Sequence, residues 1–160
     1  MDRSRARRPA LTLLLLALTV PVFARSQQAP EPALDSGAIE RSIVSQIARL
    51  RTEEELPGML VHQAIAAIAR DHSRAMAAGR RSFGHDGFDK RAKRLTRTFD
   101  AVGVSENVAQ NQGHEDPATV TVQSWLESPE HRANLFGEAD LTGVGVAVAD
   151  DGTVYVTQLY

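Results

Sequence analysis

The chain has 160 residues, 42% of them apolar and 24% charged, with a formal charge of −2. That is one domain's worth of chain, long enough to bury a real core, and its mildly acidic balance argues against a nucleic-acid partner. There is no cysteine, which excludes disulfides, thiol catalysis and thiolate metal sites.

Along the chain, Arg3, Arg5, Arg7 and Arg8 form a basic start, and Leu11 to Val20 an apolar run. Val22-Phe23-Ala24 then offers small residues before a cut, which completes the pattern of an export signal over 1–24. The apolar run is shorter than a bilayer span requires, so cleavage near Ala24 is expected and a stable transmembrane anchor is not. Losing four arginines and one aspartate with that segment takes the formal charge from −2 to −5. Residues 25–36, RSQQAPEPALDS, are polar and proline-bearing and read as a linker, which leaves one domain over 37–160. A secreted or periplasmic monomer is the expectation.

Within that domain Ile39, Ile43, Ile47 and Leu50 recur at helical spacing, with Asp35 or Ser36 as cap, and LPG at 56–58 ends the helix. A second helix is predicted from Met59 to Ala78, with Val61, Ile65, Ile68, His72 and Met76 on one stripe and Gly79 as its stop. RSFGHDG, 81–87, is a glycine-rich turn carrying His85. A third helix starts near Phe88, turns Ala92, Leu95 and Phe99 inward, and ends near Gly103. SENVAQNQGHED, 105–116, reads as a loop holding Glu106. Asp116-Pro117 opens a fourth helix through Val122, Trp125 and Leu126, although Thr119 to Val122 also alternates like a strand.

SWLESPEHRANLFG, 124–137, has a second helix start inside it: Ser128 suits an N-cap, Pro129 the first helical position and Gly137 the end. His131 then sits in the first turn, where the helix dipole favours the neutral imidazole that a metal ligand or general base needs. GVGVAVADDGTVYVTQLY gives two alternating runs around Asp-Gly, a C-terminal hairpin. Gly143, Gly145, Ala147 and Ala149 leave one of its faces nearly free of side chains, open to close approach by a helix.

In this order the pieces resemble the CAP superfamily, the SCP-like domains of cysteine-rich secretory proteins, in its bacterial, disulfide-free form. The carrying stretches are DHSRAM (71–76), SFGHDG (82–87), SENVA (105–109), SWLESPEHRANLF (124–136) and TGVGVAVADDGTVYVTQ (142–158). The resemblance implies an α+β fold, an α-β-α sandwich with about four helices around a small, mainly antiparallel sheet. It also implies a cleft lined by two histidines and two acids. Position by position these are His85, Glu106 and His131. The family's second acid falls on Ser128, flanked by Glu127 and Glu130, and Ser105 replaces the glycine before the glutamate.

Two imidazoles and a carboxylate suit a divalent cation, zinc first. The same groups fit acid–base hydrolysis of a peptide, ester or cell-wall substrate, and equally a structural role in which they hydrogen-bond one another and pin two loops onto the sheet. No G-x-S-x-G nucleophile is present, so the balance leans away from an enzyme and toward a binding module. His72 reads as a hydrogen-bonded core histidine, Trp125 as core, and His62 and His114 as solvated. KRAKRLTR, 90–97, puts cations on the outer face of the third helix, a solvated face or one drawn to anionic lipid or another cell-envelope component. Phe83 and Phe88 are placed to line an apolar wall beside His85, which keeps lipid as a rival ligand.

Overall fold

The computed structural model describes residues 34–160; the expected export signal and most of the expected linker lie outside the described residues. Helix α1 spans Ser36–Glu53 and Asp35 caps it, its Oδ1 accepting from the Gly37 N–H at 2.9 Å. Strand β1 is Leu60–Val61, α2 Gln63–Ala77, α3 Phe88–Phe99 and β2 Glu106–Asn111. Helices α4 (Pro117–Glu127) and α5 (Pro129–Phe136) follow, then β3 (Leu141–Val148) and β4 (Val154–Leu159).

The sheet order is β1-β3-β4-β2. β3 and β4 form the expected hairpin, with Val146 opposite Val156, and β2 runs antiparallel on the far side of β4. β1 is parallel to β3, with Leu60 opposite Leu141 and Val61 opposite Thr142.

Strand alternation divides the core between the two faces of the sheet. Val144, Val146, Val154 and Val156 face α1, α4 and α5 and pack with Ile43, Ile47, Val122, Trp125 and Leu135. Leu159 faces the other way, with Ile65, Ile68 and Ala69 of α2 and Leu95 of α3. This is the expected α-β-α sandwich, with five helices rather than about four among the described residues.

On the α2 face the backbones meet closely. A Cβ built on Gly143 would lie 2.2 Å from the Ala66 nitrogen, and one on Gly145 2.0 Å from the Arg70 nitrogen. The side-chain-free face therefore receives α2, as its glycines and alanines indicate. At the β3 edge Glu40 of α1 takes two bonds from Arg70 of α2, at 2.7 and 2.8 Å, and accepts the Val146 N–H at 3.0 Å. One carboxylate thus joins both layers and satisfies an edge donor that no strand pairs.

Three local expectations need correction. Residues 59–62 do not begin α2: the N–H groups of Leu60 and His62 donate to Asp140 and Thr142 of the β3 region, so this segment pairs as a strand. His62 is half-buried rather than solvated; its Nδ1 accepts from the Ala64 N–H as the α2 cap, and its ring meets Phe99 edge-on at 4.7 Å. SENVAQN is mostly strand, not loop, because β4 offers it a complete antiparallel partner from Leu159 back to Val154. The contested fourth helix is helical, Asp116 accepting from Thr119 N–H at 3.1 Å and overriding the β-branched run.

Candidate functional site

His85 sits in the turn between α2 and α3, where Gly84 (φ 128°) and Gly87 (φ 77°) take backbone angles that side chains resist. The turn is fastened from both sides. The ring of His72, a core residue of α2 as expected, bonds through Nε2 to the Gly84 carbonyl at 2.9 Å. From α3, Arg91 donates through Nη1 to the Asp86 carbonyl at 2.9 Å.

Glu106 opens β2, and its side chain is 1% exposed. Arg91 grips it in a fork, Nε to Oε2 and Nη2 to Oε1, each at 2.7 Å. A buried carboxylate is tolerable only with such a partner. His85 Nδ1 lies 3.0 Å from Oε1. With a carboxylate oxygen as acceptor, the network assigns a proton to Nδ1 and leaves Nε2, with its lone pair in that tautomer, outside the network. The His85 side chain is 53% exposed, in contrast to the buried carboxylate it bonds.

His131 arrives from α5. Ser128 is a cap, as its sequence context indicates, its Oγ accepting the His131 N–H at 3.4 Å. The helix is then stapled to β2 through buried Asn107. Its Nδ2 donates to the His131 carbonyl at 3.0 Å and to the Tyr160 hydroxyl at 3.1 Å, and its Oδ1 accepts from Asn134 at 2.8 Å. The His85 and His131 rings consequently face each other, centroids 6.3 Å apart and planes inclined by 35°. Burial first, and then the nearby His85 ring, hold His131 below its ordinary pKa, against a smaller opposing pull from Glu130. Both causes favour the neutral ring, the same direction as the helix dipole at the start of α5.

His85, Glu106 and His131, far apart in sequence, thus come together, His85 bonding Glu106 and its ring standing 6.3 Å from that of His131. The flanking acids form no hydrogen bond with any of the three side chains. Glu127 is exposed at the end of α4. Glu130 is exposed and bonds the Ser128 hydroxyl at 3.2 Å. Its own backbone N–H and that hydroxyl hold its carboxyl below the usual range. Phe88 packs into the α2–α3 core while Phe83 stands half exposed. Ser73 is fully buried, donating to the Gly145 carbonyl at 2.8 Å, so it is a packing group and not a nucleophile.

Arg91, Asn107 and Asn134 are the residues that sequence reasoning overlooks. For Arg91 a signal existed: it lies three residues after Phe88 and four before Leu95, on the inward stripe, although its neighbours belong to a basic run.

Among the described residues no group of three or more His, Cys, Asp or Glu side chains is set to hold a metal ion. No helix of the described residues is long and apolar enough to cross a membrane.

Solved structures share this architecture. An outer surface protein of Borrelia burgdorferi matches over 79% of this chain and 93% of its own, at TM-score 0.66 and 20% identity. An extracellular protein containing an SCP domain from Bacillus anthracis matches over 78% of this chain, at TM-score 0.61 and 28% identity. A cysteine-rich secretory protein of Staphylococcus aureus matches over 84%, at TM-score 0.57 and 19% identity. The chain spans 40% of the Bacillus protein and 43% of the Staphylococcus one, so both contain further parts. No curated protein sequence matches. The model of the cysteine-rich secretory protein family, CAP, matches residues 44–160, nearly the whole of the folded domain just described. The chain belongs to the CAP family.

Proposed function

We propose that this CAP domain is an exported binding module whose cleft offers His85 and His131 to a divalent cation, zinc being the best match to two neutral imidazoles. The observation that carries the reading is the Glu106–His85 pair, 3.0 Å between Oε1 and Nδ1, with the second histidine ring 6.3 Å away. A histidine that donates one ring N–H to a carboxylate is oriented, and made more basic, at the other nitrogen. Glu106 fits this orienting role better than that of a third ligand, because Arg91 already occupies both of its oxygens. A cation held there would supply a Lewis-acidic point for an anionic or carbonyl-bearing ligand. Export is supported by the basic and apolar pattern of residues 1–24 and by the extracellular and secretory descriptions of the Bacillus and Staphylococcus relatives.

The test is zinc titration of metal-stripped protein beside His85→Ala and His131→Ala. The expectation is one zinc per chain in the parent and loss of binding in both variants. Equal, near-zero zinc in all three would remove the metal.

A second reading, a hydrolase, is favoured by the same pair, since a carboxylate-buttressed, half-exposed histidine is built like a general base. Turnover of a peptide, ester or peptidoglycan substrate that disappears in Glu106→Ala would support it; turnover that survives the change would count against it.

A further inference from the structure

Between the end of α3, the 100–105 connection into β2 and the 138–141 approach to β3 lies a groove of about 580 Å³. Ligand pockets commonly run to about 300–1,000 Å³, so this one can hold a partner's side chain and the backbone around it. Buried Ile65, Leu95 and Tyr160 and half-buried Phe99, Val104 and Leu141 give it an apolar floor. None of His85, Glu106 and His131 lines it, so it lies apart from the histidine cleft.

Its charge has one sign. Asp100, Glu138 and Asp140 line it, all of them exposed, and no lysine or arginine does. Among the described residues none of these three carboxylates forms an ion pair. The cations of α3, Lys90, Lys93, Arg94 and Arg97, line a separate groove.

Two further features ask for cover. Val102 also lines the groove and is wholly exposed, an apolar side chain left bare beside an apolar floor. Along the same walls the backbone groups of Ala101 to Val104, Glu138 and Ala139 enter no backbone hydrogen bond among the described residues. Their N–H and C=O groups are free to pair with a second main chain.

We propose that this groove docks an extended peptide segment that presents one bulky apolar side chain flanked by lysine or arginine. The apolar side chain lies on the floor, with Val102 against it. The flanking cations meet Asp100, Glu138 and Asp140, where an acidic peptide or an anionic lipid would meet only like charge. The free backbone groups pair with the segment's own main chain, which a fatty chain or a simple amine lacks. The docking does not depend on a metal at the histidine cleft.

The test titrates the end-capped peptide Gly-Ser-Lys-Phe-Lys-Ser-Gly into the purified protein at low and at physiological salt, read by backbone amide NMR shifts. The expected result is saturable 1:1 binding that moves the amides of Ala101 to Val104 and of Ala139 and weakens as salt rises. Replacing the peptide's phenylalanine by serine, or both its lysines by glutamate, should weaken binding by at least about tenfold. Asp100→Asn/Asp140→Asn should weaken it by about fivefold or more. Asparagine tolerates the left-handed backbone that Asp100 adopts at φ 53°, so the fold is kept. Glu115→Gln/Asp150→Asn, which removes the same charge at exposed positions outside the groove, should change binding less than about twofold. Decylamine, cationic and apolar but without a peptide backbone, should bind at least about tenfold more weakly than the peptide. Equal binding of the glutamate peptide, equal losses in the two double variants, decylamine as tight as the peptide, or no saturable peptide binding would each overturn the assignment.

Discussion

Replacing Arg91 with methionine removes the partner of a carboxylate that is 1% exposed. Both ends of the pair are buried, the Arg91 side chain being 10% exposed, so solvent screening takes little from their interaction. Two charge-assisted bonds at 2.7 Å are lost, together with the bond to the Asp86 carbonyl, and Glu106 keeps only His85. Breaking one partner out of a buried pair costs about 3–5 kcal/mol, chiefly because the other charge is left uncompensated. With a urea slope of about 1.5–2 kcal/mol per molar for a domain of this size, the unfolding midpoint should fall by roughly 2 M. Because the cost sits in the orphaned charge, the double variant Arg91→Met/Glu106→Gln should be clearly more stable than Arg91→Met alone. A double-mutant cycle by urea unfolding, followed through Trp125 fluorescence, measures that coupling. A loss below about 1 kcal/mol in Arg91→Met, or strictly additive single changes, would refute the picture of a fork holding a buried carboxylate.

Other outcomes follow from the same contacts. Gly145→Ala would drive a methyl against the α2 backbone at Arg70 and Ala69 and should cost about 3 kcal/mol or more by thermal unfolding, whereas Gly103→Ala, with open space around it, should cost little. Arg51, 2% exposed, donates to the carbonyls of Leu135 and Gly137 at the end of α5 and to Pro57; Arg51→Met should lose about 3 kcal/mol or more in urea unfolding by orphaning them. His72 and His131 both titrate below their ordinary value of 6.5 in the folded chain, burial being the main cause for each. Below pH 6.5 the unfolded chain therefore binds more protons than the folded one. Their contribution is complete above that pH and is lost as the pH falls through 6.5 toward the folded values. Urea midpoints of metal-stripped protein should decline from pH 7.5 to 5, with a shallower slope in His131→Asn.

The sequence of the domain is legible where local physics decides. The isoleucines of α1, the glycine after α2, the Asp116-Pro117 start of α4, the Ser128 cap and the hairpin around Asp151-Gly152 are each fixed by neighbours within a few residues, and each stands where its own spacing puts it. Even Gly143 and Gly145 announce a close-packed helix, because a missing side chain has few other uses on an apolar strand. Family motifs extended this to His85, Glu106 and His131, which chain order alone relates to one another.

The tertiary structure decided what depended on distant partners. SENVAQN lacks a clean apolar alternation and becomes a strand only because β4 lies beside it, and Leu60–Val61 becomes one only because β3 does. Whether Glu106 is a free ligand or a held carboxylate turns on Arg91, fifteen residues away in a basic stretch that looks solvated on paper. Hydrogen bonds and buried charges choose partners in space, and a single chain read in order carries periodicity and caps but not those pairings.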